Sequence, residues 1–273
     1  SGTAVFQQTV DLLTDPLADR LRGDPSLAVR AAAAAALGQS RRTSLSVTQA
    51  LVTAAASPDE DLAYAAARSL SHRRDPRAAD ALLALAQEAR DPDRRRSLLQ
   101  ALAPVVRTDH AEALEALHRR IHSDHAHDVL EVWALTGADA AADEAARGLA
   151  TAGTGWEEDA GLRRLALSRD RRYARVALDR LLPVDCMGDG AFETELNAVA
   201  MLAPAEEAVP ALAAYFACPE PHIRWQVVQA LRQIDLPVAR AALVAQWRTE
   251  DDSGLRDDLA EALGRILPEE QHP

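Results

Sequence analysis

Leucines that end amphipathic segments recur along the chain at intervals of 29 to 35 residues. They are Leu37, Leu70, Leu102, Leu135, Leu167, Leu202, Leu231 and Leu263. Each follows a small or flexible residue, and the residue three positions before is apolar in every case except Arg164. Apolar residues at this spacing lie on one face of an α-helix. The pattern predicts eight copies of one helical unit.

Helix-start signals precede most of these segments. Four of these signals consist of a candidate capping residue followed by proline: Asp24-Pro25, Ser57-Pro58, Asp91-Pro92 and Cys218-Pro219. An Asp or Ser side chain accepts a hydrogen bond from a free backbone N–H at the start of a helix, and proline fits the first helical position because it has no N–H to satisfy. Asp124, Thr154 and Asp252 are the corresponding starts in repeats four, five and eight.

A second set of helices is predicted between these segments, so that each repeat is a helical hairpin. The first helices of the hairpins are expected at 5–22, 44–56, 76–90, 110–122, 139–151, 170–182, 206–217 and 236–249. A single hairpin cannot bury both of its apolar faces, whereas stacked hairpins form a continuous core. We therefore predict an all-α fold, a right-handed α-α superhelix of about eight hairpins, and one repeat domain over residues 1–273. The predicted repeats are 1–39, 40–73, 74–106, 107–136, 137–168, 169–203, 204–234 and 235–267.

Three second-helix segments carry a family resemblance. The stretches 24–38, 221–231 and 255–264 resemble the second helix of HEAT repeats, in the short variant typical of phycobilisome-lyase-like repeats. Repeats four to six depart most from that pattern, since they have no Val-Arg pair at their starts. The resemblance implies that the second helices line a concave face and that the first helices form the convex back.

On that arrangement, side chains beside the core stripe of the second helices are expected to face a groove and bind a partner. These candidates are Tyr64, Arg68, Arg96, Gln100, Trp133, Arg224, Trp225 and Gln229. Trp, Tyr and Arg are the residues most enriched at binding hot spots. The alternative for Tyr64, Trp133 and Trp225 is that each ring fills a gap between repeats.

Charge narrows the class of partner. All 30 basic residues are arginine, which with the abundant alanine fits a GC-rich coding bias, and we expect a bacterial protein. The net charge is −12, and residues 123–273 alone carry −13. An acidic surface repels nucleic acids and anionic membranes and attracts basic partners. We expect a protein or peptide partner with a basic surface, and neither nucleic acid nor membrane.

One histidine cluster is a candidate metal site. It contains His118, His122, His125 and His127. The first two are four residues apart and share a helix face, and imidazole is a suitable ligand for Zn, Ni or Co. Arg119 and Arg120 would oppose a cation, so a solvated turn is the alternative. We expect no cofactor.

Two enzyme classes are built from HEAT-type repeats and set the alternatives to a binding role. Metal-dependent deoxyhypusine hydroxylases need His-Glu pairs, and none of the eight histidines here has an adjacent Glu. The HEAT-like DNA glycosylases use a basic groove with Trp and an acidic residue. Trp156 with Asp159, and the pair Arg224-Trp225, match these residue types only loosely. The acidic second half disfavours DNA. We predict no catalytic residues and a non-enzymatic scaffold or adaptor, with the glycosylase-type enzyme as the alternative.

The cysteines and the chain's hydropathy bear on location. Cys186 and Cys218 are 32 residues apart, which is one repeat, and we favour two reduced thiols over a redox pair. The stretch 185–190 is an inserted loop or a partner contact. No run of about 18–20 apolar residues and no signal-peptide pattern occurs in the sequence, so we expect a cytoplasmic protein.

Overall fold

The computed structural model describes residues 13–40, 44–121, 126–152, 155–181, 186 and 192–264. All regular elements in these residues are helical, and successive helices pair into hairpins. The prediction of an all-α fold built from helical hairpins is therefore confirmed. The chain divides into two compact units, Ser1–Ala138 and Asp139–Pro273. The prediction of one domain over the whole chain stays a prediction.

Unit 1 contains four hairpins in its described residues. Its helices are α1 (Thr14–Gly23), α2 (Leu27–Gly38), α3 (Leu45–Ala55), α4 (Glu60–Arg73), α5 (Ala79–Glu88), α6 (Pro92–Leu102), α7 (Ala111–Arg120) and α8 (Ala126–Ala134). Short 3₁₀ turns at Pro76–Ala78 and Thr108–His110 lead into α5 and α7. The odd-numbered helices are the first helices of the hairpins, and the even-numbered helices are the second.

Unit 2 also contains four hairpins in its described residues. Its helices are α9 (Asp139–Ala150), α10 (Gly155–Ser168), α11 (Ala174–Leu181), α12 (Phe192–Leu202), α13 (Ala205–Ala213), α14 (Pro221–Gln233), α15 (Pro237–Thr249) and α16 (Ser253–Ala262). Across both units the described first helices lie within a few residues of their predicted positions. The part of the first predicted helix before residue 13 lies outside the described residues.

The predicted helix starts are correct where the acidic side chain reaches the first turn. Asp91 accepts a hydrogen bond from the Arg94 N–H at 2.7 Å, and Asp252 accepts one from the Leu255 N–H at 2.9 Å. Asp124 and Thr154 lie outside the described residues.

Three predicted starts are wrong by two residues. The helices that we expected to begin after Asp24 and Ser57 begin after Ser26 and Asp59, whose side chains accept hydrogen bonds from Val29 N and Leu62 N. The helix expected after Cys218 begins at Pro221, and no side chain caps it. In all three cases a proline lies directly beside the residue at which the helix begins. Proline therefore marked the start of the helix correctly, but the residue before it is not the cap.

Small residues allow the second helices to approach closely in unit 1. Gly38 lies so near α4 that an added Cβ would be 2.6 Å from Ser69 Oγ and 3.0 Å from Ser69 Cα. Ser69 Oγ donates a hydrogen bond to the Ala34 carbonyl of the neighbouring hairpin at 2.8 Å. The alanine-rich composition of α2 and α4 therefore serves contact between helix backbones.

The buried residue that ends each second helix, which we call the terminal core residue, follows the prediction in most hairpins. Its members in hairpins one to seven are Leu37, Leu70, Leu102, Trp133, Leu165, Leu202 and Leu231, each at most 3% exposed. The predictions for hairpins four, five and eight are wrong, because Leu135 is 38% exposed and Leu167 and Leu263 are half-buried. In hairpins four and five the helical register is shifted by two residues relative to the prediction. The apolar residue three positions before the terminal core residue of hairpin five is therefore Leu162, 1% exposed, and Arg164 is also buried, at 9% exposure.

The two cysteines form a disulfide, so the expectation of two reduced thiols is wrong. Cys186 and Cys218 are bonded, with their Cα atoms 5.5 Å apart. Cys218 is buried between α13 and α14, and Cys186 precedes α12. The bond links the sixth hairpin to the seventh, one repeat further along, as the spacing of 32 residues allows.

Candidate partner-binding face

The solvent-facing side of the second helices is the surface on which the sequence places its partner-binding candidates, and we call it the second-helix face. Within each unit the second helices of successive hairpins contact one another more extensively than the first helices do. In a curved stack of hairpins, the helices on the concave side lie closer together than those on the convex side. The closer packing of the second helices therefore fits a concave position for them. This agrees, within each unit, with the arrangement implied by the family resemblance.

Three candidates of unit 1 lie exposed on this face. Tyr64 is 55% exposed on α4, six residues before the terminal core residue of its hairpin. Arg68 and Gln100 are exposed two residues before the terminal core residues of α4 and α6. The structure thus leaves all three available, and their role in binding stays a prediction.

Arg96 is engaged within unit 1. Its Nε donates a hydrogen bond to Asp128 at 3.0 Å, and its Nη1 lies 3.0 Å from Asp93 Oδ1. The hydrogen bond to Asp128 is the main reason that the pKa of the guanidinium is raised. Arg96 therefore joins α6 to α8, although part of its side chain still reaches solvent.

Trp133 is not on the second-helix face, and the prediction that it faces a groove is wrong. The residue is only 3% exposed, and its ring centroid lies 5.6 Å from that of His118 on α7. Because the register of α8 is shifted by two residues, Trp133 occupies the terminal core position, and Glu131 takes the outward position. Trp133 packs against His118 inside the fourth hairpin, so it is a core residue, although this contact is within a repeat and not between repeats as the alternative stated.

Arg224 is also buried, and the prediction that it contacts a partner is wrong. It is 7% exposed, its Nη2 lies 2.7 Å from Glu250 Oε1, and its Nη1 donates to the carbonyls of Cys218 and Pro219. Burial works to raise the pKa of Glu250, but hydrogen bonds from Arg224 and Gln246 outweigh it and lower that pKa to about 2. With its donors paired in this way, Arg224 ties the seventh hairpin to the eighth.

Trp225 and Gln229 are the candidates that unit 2 presents. Trp225 is 42% exposed on α14, and Gln229 is half-buried one turn further along. Both line a cavity of about 510 Å³ between α12 and α14, together with Glu193, Asn197 and Gln226. The side-chain Oε1 of Gln226 is buried and has no hydrogen-bond partner among the described residues.

Sequence reasoning missed the polar residues that share this cavity with Trp225. A signal for them does exist, because Asn197 and Gln226 both lie five residues before the terminal core residue of their helices. The same position holds Ala65 in α4 and Ala160 in α10. Paired amides at this position therefore distinguish hairpins six and seven from the others.

The histidine cluster is only partly within the described residues. His118 Nδ1 lies 3.2 Å from the Ala126 carbonyl, and His127 is exposed on α8. His122 and His125 lie outside the described residues, so the metal-site prediction stays a prediction. Elsewhere in the described part of the chain, no three His, Cys, Asp or Glu side chains are grouped to hold a metal ion.

The residues that loosely match a DNA glycosylase do not form a basic groove in the described part of the chain. Arg224 is buried and paired, as shown above, so it cannot contact a phosphate. Asp159 is half-buried on α10, while the side chain of Trp156 is outside the description. Near Asp159, Glu195 has a raised pKa, chiefly because it is partly buried.

None of the helices in the described ranges combines the length and the apolar character that crossing a membrane requires.

Comparison with known proteins places the fold. A search of curated proteins finds no match. Among solved structures, the chain is similar to one from the complex of CpcE and CpcF of phycocyanin lyase from Nostoc sp. PCC7120, with a TM-score of 0.57, 18% identity and coverage of 93% of this chain and 94% of that one. Human deoxyhypusine hydroxylase in complex with glycerol aligns over 96% of both chains at 21% identity, but with a TM-score of only 0.38.

A family model describes the repeats directly. The model for HEAT repeats matches residues 14–103 and 184–264, which together make up more than half of the chain. These ranges include the hairpins that carry Tyr64 and Trp225, and the intervening gap includes hairpins four and five, whose register is shifted. The chain belongs to the HEAT-repeat family and is a repeat scaffold.

Proposed function

We propose that this protein is a non-enzymatic scaffold or adaptor that binds a protein or peptide partner along its second-helix face. The observation that carries the proposal is the placement of Tyr64 and Trp225. Both lie six residues before the terminal core residue, and they are the two aromatic side chains in the described residues that are largely exposed. Exposed aromatic rings on a rigid helical face are typical anchors of protein interfaces.

The structural comparison supports a protein partner. The similar chain from Nostoc comes from a complex of two proteins, CpcE and CpcF. By analogy, a HEAT-like chain of this size is expected to work in contact with another protein. The identity between the two chains is too low to extend the analogy to phycocyanin lyase activity.

Charge supports a partner with a basic surface. Unit 2 contains 24 acidic residues and 14 arginines, a net charge of −10. Such a surface attracts cationic proteins over a distance of about 10 Å at moderate salt and repels nucleic acid. Association is therefore expected to weaken as salt rises.

The carboxylates with the lowest pKa support a role without catalysis. The pKa values of Asp75 and Glu250 are both about 2, and both side chains are buried in contacts between hairpins. Asp75 is held by Thr48 and Arg77, and Glu250 by Arg224, so both carboxylates stabilise the stack. Glu250 also lines a cavity of about 710 Å³, in which Arg224 neutralises its charge. The cytoplasmic location stays a prediction, and the disulfide weighs against it, because such bonds persist mainly in oxidising compartments.

Affinity capture at low salt tests the proposal. The wild-type chain and the double variant Tyr64→Ala/Trp225→Ala are each immobilised, and proteins retained from a native lysate are identified by mass. We expect the wild type to retain a basic protein that the double variant loses, since each ring supplies apolar contact area that alanine removes.

A matched control uses exposed apolar residues of the first helices. Leu45 on α3 and Val238 on α15 are 51% and 46% exposed, so Leu45→Ala/Val238→Ala truncates two exposed apolar side chains on the other layer. Equal retention by both double variants would contradict the proposal. A gel-shift assay on duplex DNA completes the design, because DNA binding with base release would favour the glycosylase-type enzyme instead.

A further inference from the structure

The groove between α12 and α14 contains an aromatic ring beside hydrogen-bonding groups. Trp225 lines this cavity, and Glu193 of α12 and Arg232 of α14 are exposed in its lining. Asn197 and Gln233 are hydrogen-bonded to each other between the two helices, and Gln229 accepts from Arg232 at 3.2 Å. The lining thus offers one apolar surface surrounded by side-chain amides.

The ring of Trp225 lacks the cover that other rings in the protein have. The Arg172 guanidinium lies over Tyr173 at 5.6 Å, and that of Arg256 lies over Trp247 at 5.3 Å. Among the described residues no cation covers Trp225. An uncovered indole is the preferred partner of a cation in proteins.

The buried acceptor in the groove needs a donor. Gln226 Oε1 has no hydrogen-bond partner among the described residues, and a buried polar atom without a partner lowers stability. Water or a ligand N–H would satisfy it. Side-chain amides both donate and accept, so together with Gln229 and Asn197 the groove matches the alternating N–H and C=O groups of an extended peptide.

The charge around the groove selects the sign of the ligand. The described stretch 192–264 contains 12 acidic residues and five arginines. Two of those arginines are already paired with carboxylates, Arg224 with Glu250 and Arg240 with Asp235. The stretch keeps a surplus of seven acidic residues over arginines, which favours a cationic ligand and opposes phosphate-bearing ones, while the lining itself holds one carboxylate, Glu193, and one guanidinium, Arg232.

We propose that this groove binds an extended segment of the partner that bears arginine or lysine, with the cationic side chain over Trp225 and the peptide main chain on the amides of α12 and α14. The proposal rests on the proposed function and specifies its chemistry in unit 2. Glu193 in the same lining provides a carboxylate for the bound cation, whereas the Arg232 guanidinium of that lining is held by Gln229 Oε1.

Fluorescence anisotropy tests the proposal with the full chain. The probe is a fluorescein-labelled peptide of about ten alternating Arg and Gly residues, long enough to contact successive turns of the groove. We expect saturable binding at low salt and a loss of affinity of about fivefold to tenfold for Trp225→Ala, the range typical of one cation–π contact. Gln226→Met, which keeps the volume and removes the acceptor, is expected to weaken binding by a smaller factor.

Tyr64→Ala is the matched control. It removes an exposed aromatic ring from the same position of the second hairpin, in a unit whose net charge is only −2. It is expected to leave peptide affinity unchanged. Urea unfolding of each variant shows whether the fold is intact.

Three results would overturn the proposal: no binding of the Arg-Gly peptide, an equal loss for Tyr64→Ala, or equal or tighter binding of a Glu-Gly peptide or of a single-stranded oligonucleotide. Affinity capture separates this failure from failure of the proposed function. If a partner is retained and only Tyr64→Ala reduces its retention, the scaffold function stands and the groove is not its site. If neither variant reduces retention, the proposed function itself fails.

Discussion

Two buried carboxylates link neighbouring hairpins, one in each unit. Asp75 precedes α5 and accepts a hydrogen bond from Thr48 of the preceding hairpin. Glu250 follows α15 and pairs with Arg224 of the preceding hairpin. The pKa of Asp75 is lowered to about 2, chiefly by the hydrogen bond from Arg77, and that of Glu250 reaches a similar value against the effect of its burial.

The two links differ in what lies on the far side of the hairpin interface. Asp75 meets a neutral hydroxyl there, while its cation, Arg77, is two residues away and partly in solvent. Glu250 meets a buried guanidinium. Across the interface between hairpins, Asp75 thus contacts a neutral group in unit 1, and Glu250 forms a buried ion pair in unit 2. Removing each carboxylate should therefore change the free energy of unfolding by different amounts.

Replacing Glu250 should have the largest effect on stability. Glu250→Gln leaves the Arg224 cation buried without its counter-charge, and breaking a buried pair in this way costs about 3–5 kcal/mol. Urea unfolding at pH 7 measures the change. Asp75→Asn leaves no buried cation, so it should lower the free energy of unfolding by a smaller amount.

An exposed pair provides the control for that experiment. Asp235 lies 2.8 Å from Arg240, and both side chains are well exposed. Asp235→Asn should change the unfolding free energy by no more than about 1 kcal/mol. Similar losses for Glu250→Gln and Asp75→Asn would show that burial of the cation does not distinguish the two units.

Reduction of the disulfide should have the next largest effect, and in unit 2 alone. The bond closes a loop of 32 residues in sequence, so its removal is expected to cost about 3–4 kcal/mol on the chain-entropy account. Urea unfolding with and without dithiothreitol measures this loss. Cys186→Ser is the matched variant, because it opens the loop while the buried Cys218 keeps its place, and reductant should then have no further effect. A stability of the wild type that does not change with reductant would contradict the prediction.

Core leucines two residues apart test the shifted register at the start of unit 2. Leu165→Ala should cost about 2–5 kcal/mol, because Leu165 is fully buried at the terminal core position. Leu167→Ala, on the same helix, should cost less, because that side chain is half-buried. Thermal or urea unfolding of the pair decides between the structure and the sequence pattern, which predicts the opposite order.

That pair also shows how far the sequence determined the fold. Even spacing located all eight hairpins, because the stacking of repeats requires a constant number of residues per layer. It misplaced the core residue in hairpins four and five, since leucine stands at both candidate positions of α10, Leu165 and Leu167, and nothing local distinguishes them. One sequence feature did indicate the shift in hairpin five: Arg164 stands three residues before Leu167, where the pattern requires an apolar residue.

The candidate site was less predictable. Tyr64 and Trp225 are exposed as expected because their position in the repeat fixes the direction of the side chain. Arg224 was misjudged, since its partner Glu250 is 26 residues away and a contact between hairpins leaves no local pattern. The groove amides became visible only once the terminal core residues were known.

Acid should remove a smaller amount of stability through Asp75. Its folded pKa of about 2 lies below the value near 4 of an unfolded aspartate, so its contribution is complete above about pH 4 and is lost as the pH falls toward 2. The shift corresponds to about 2 kcal/mol. Urea unfolding of the wild type and Asp75→Asn at pH 7 and at pH 2.5 should show a difference that shrinks by most of that amount, because protonated Asp75 resembles the amide. A difference that stays constant between these pH values would mean that the Asp75 carboxylate is not stabilised by Arg77 and Thr48, and the contrast between the two units would then rest on Glu250 alone.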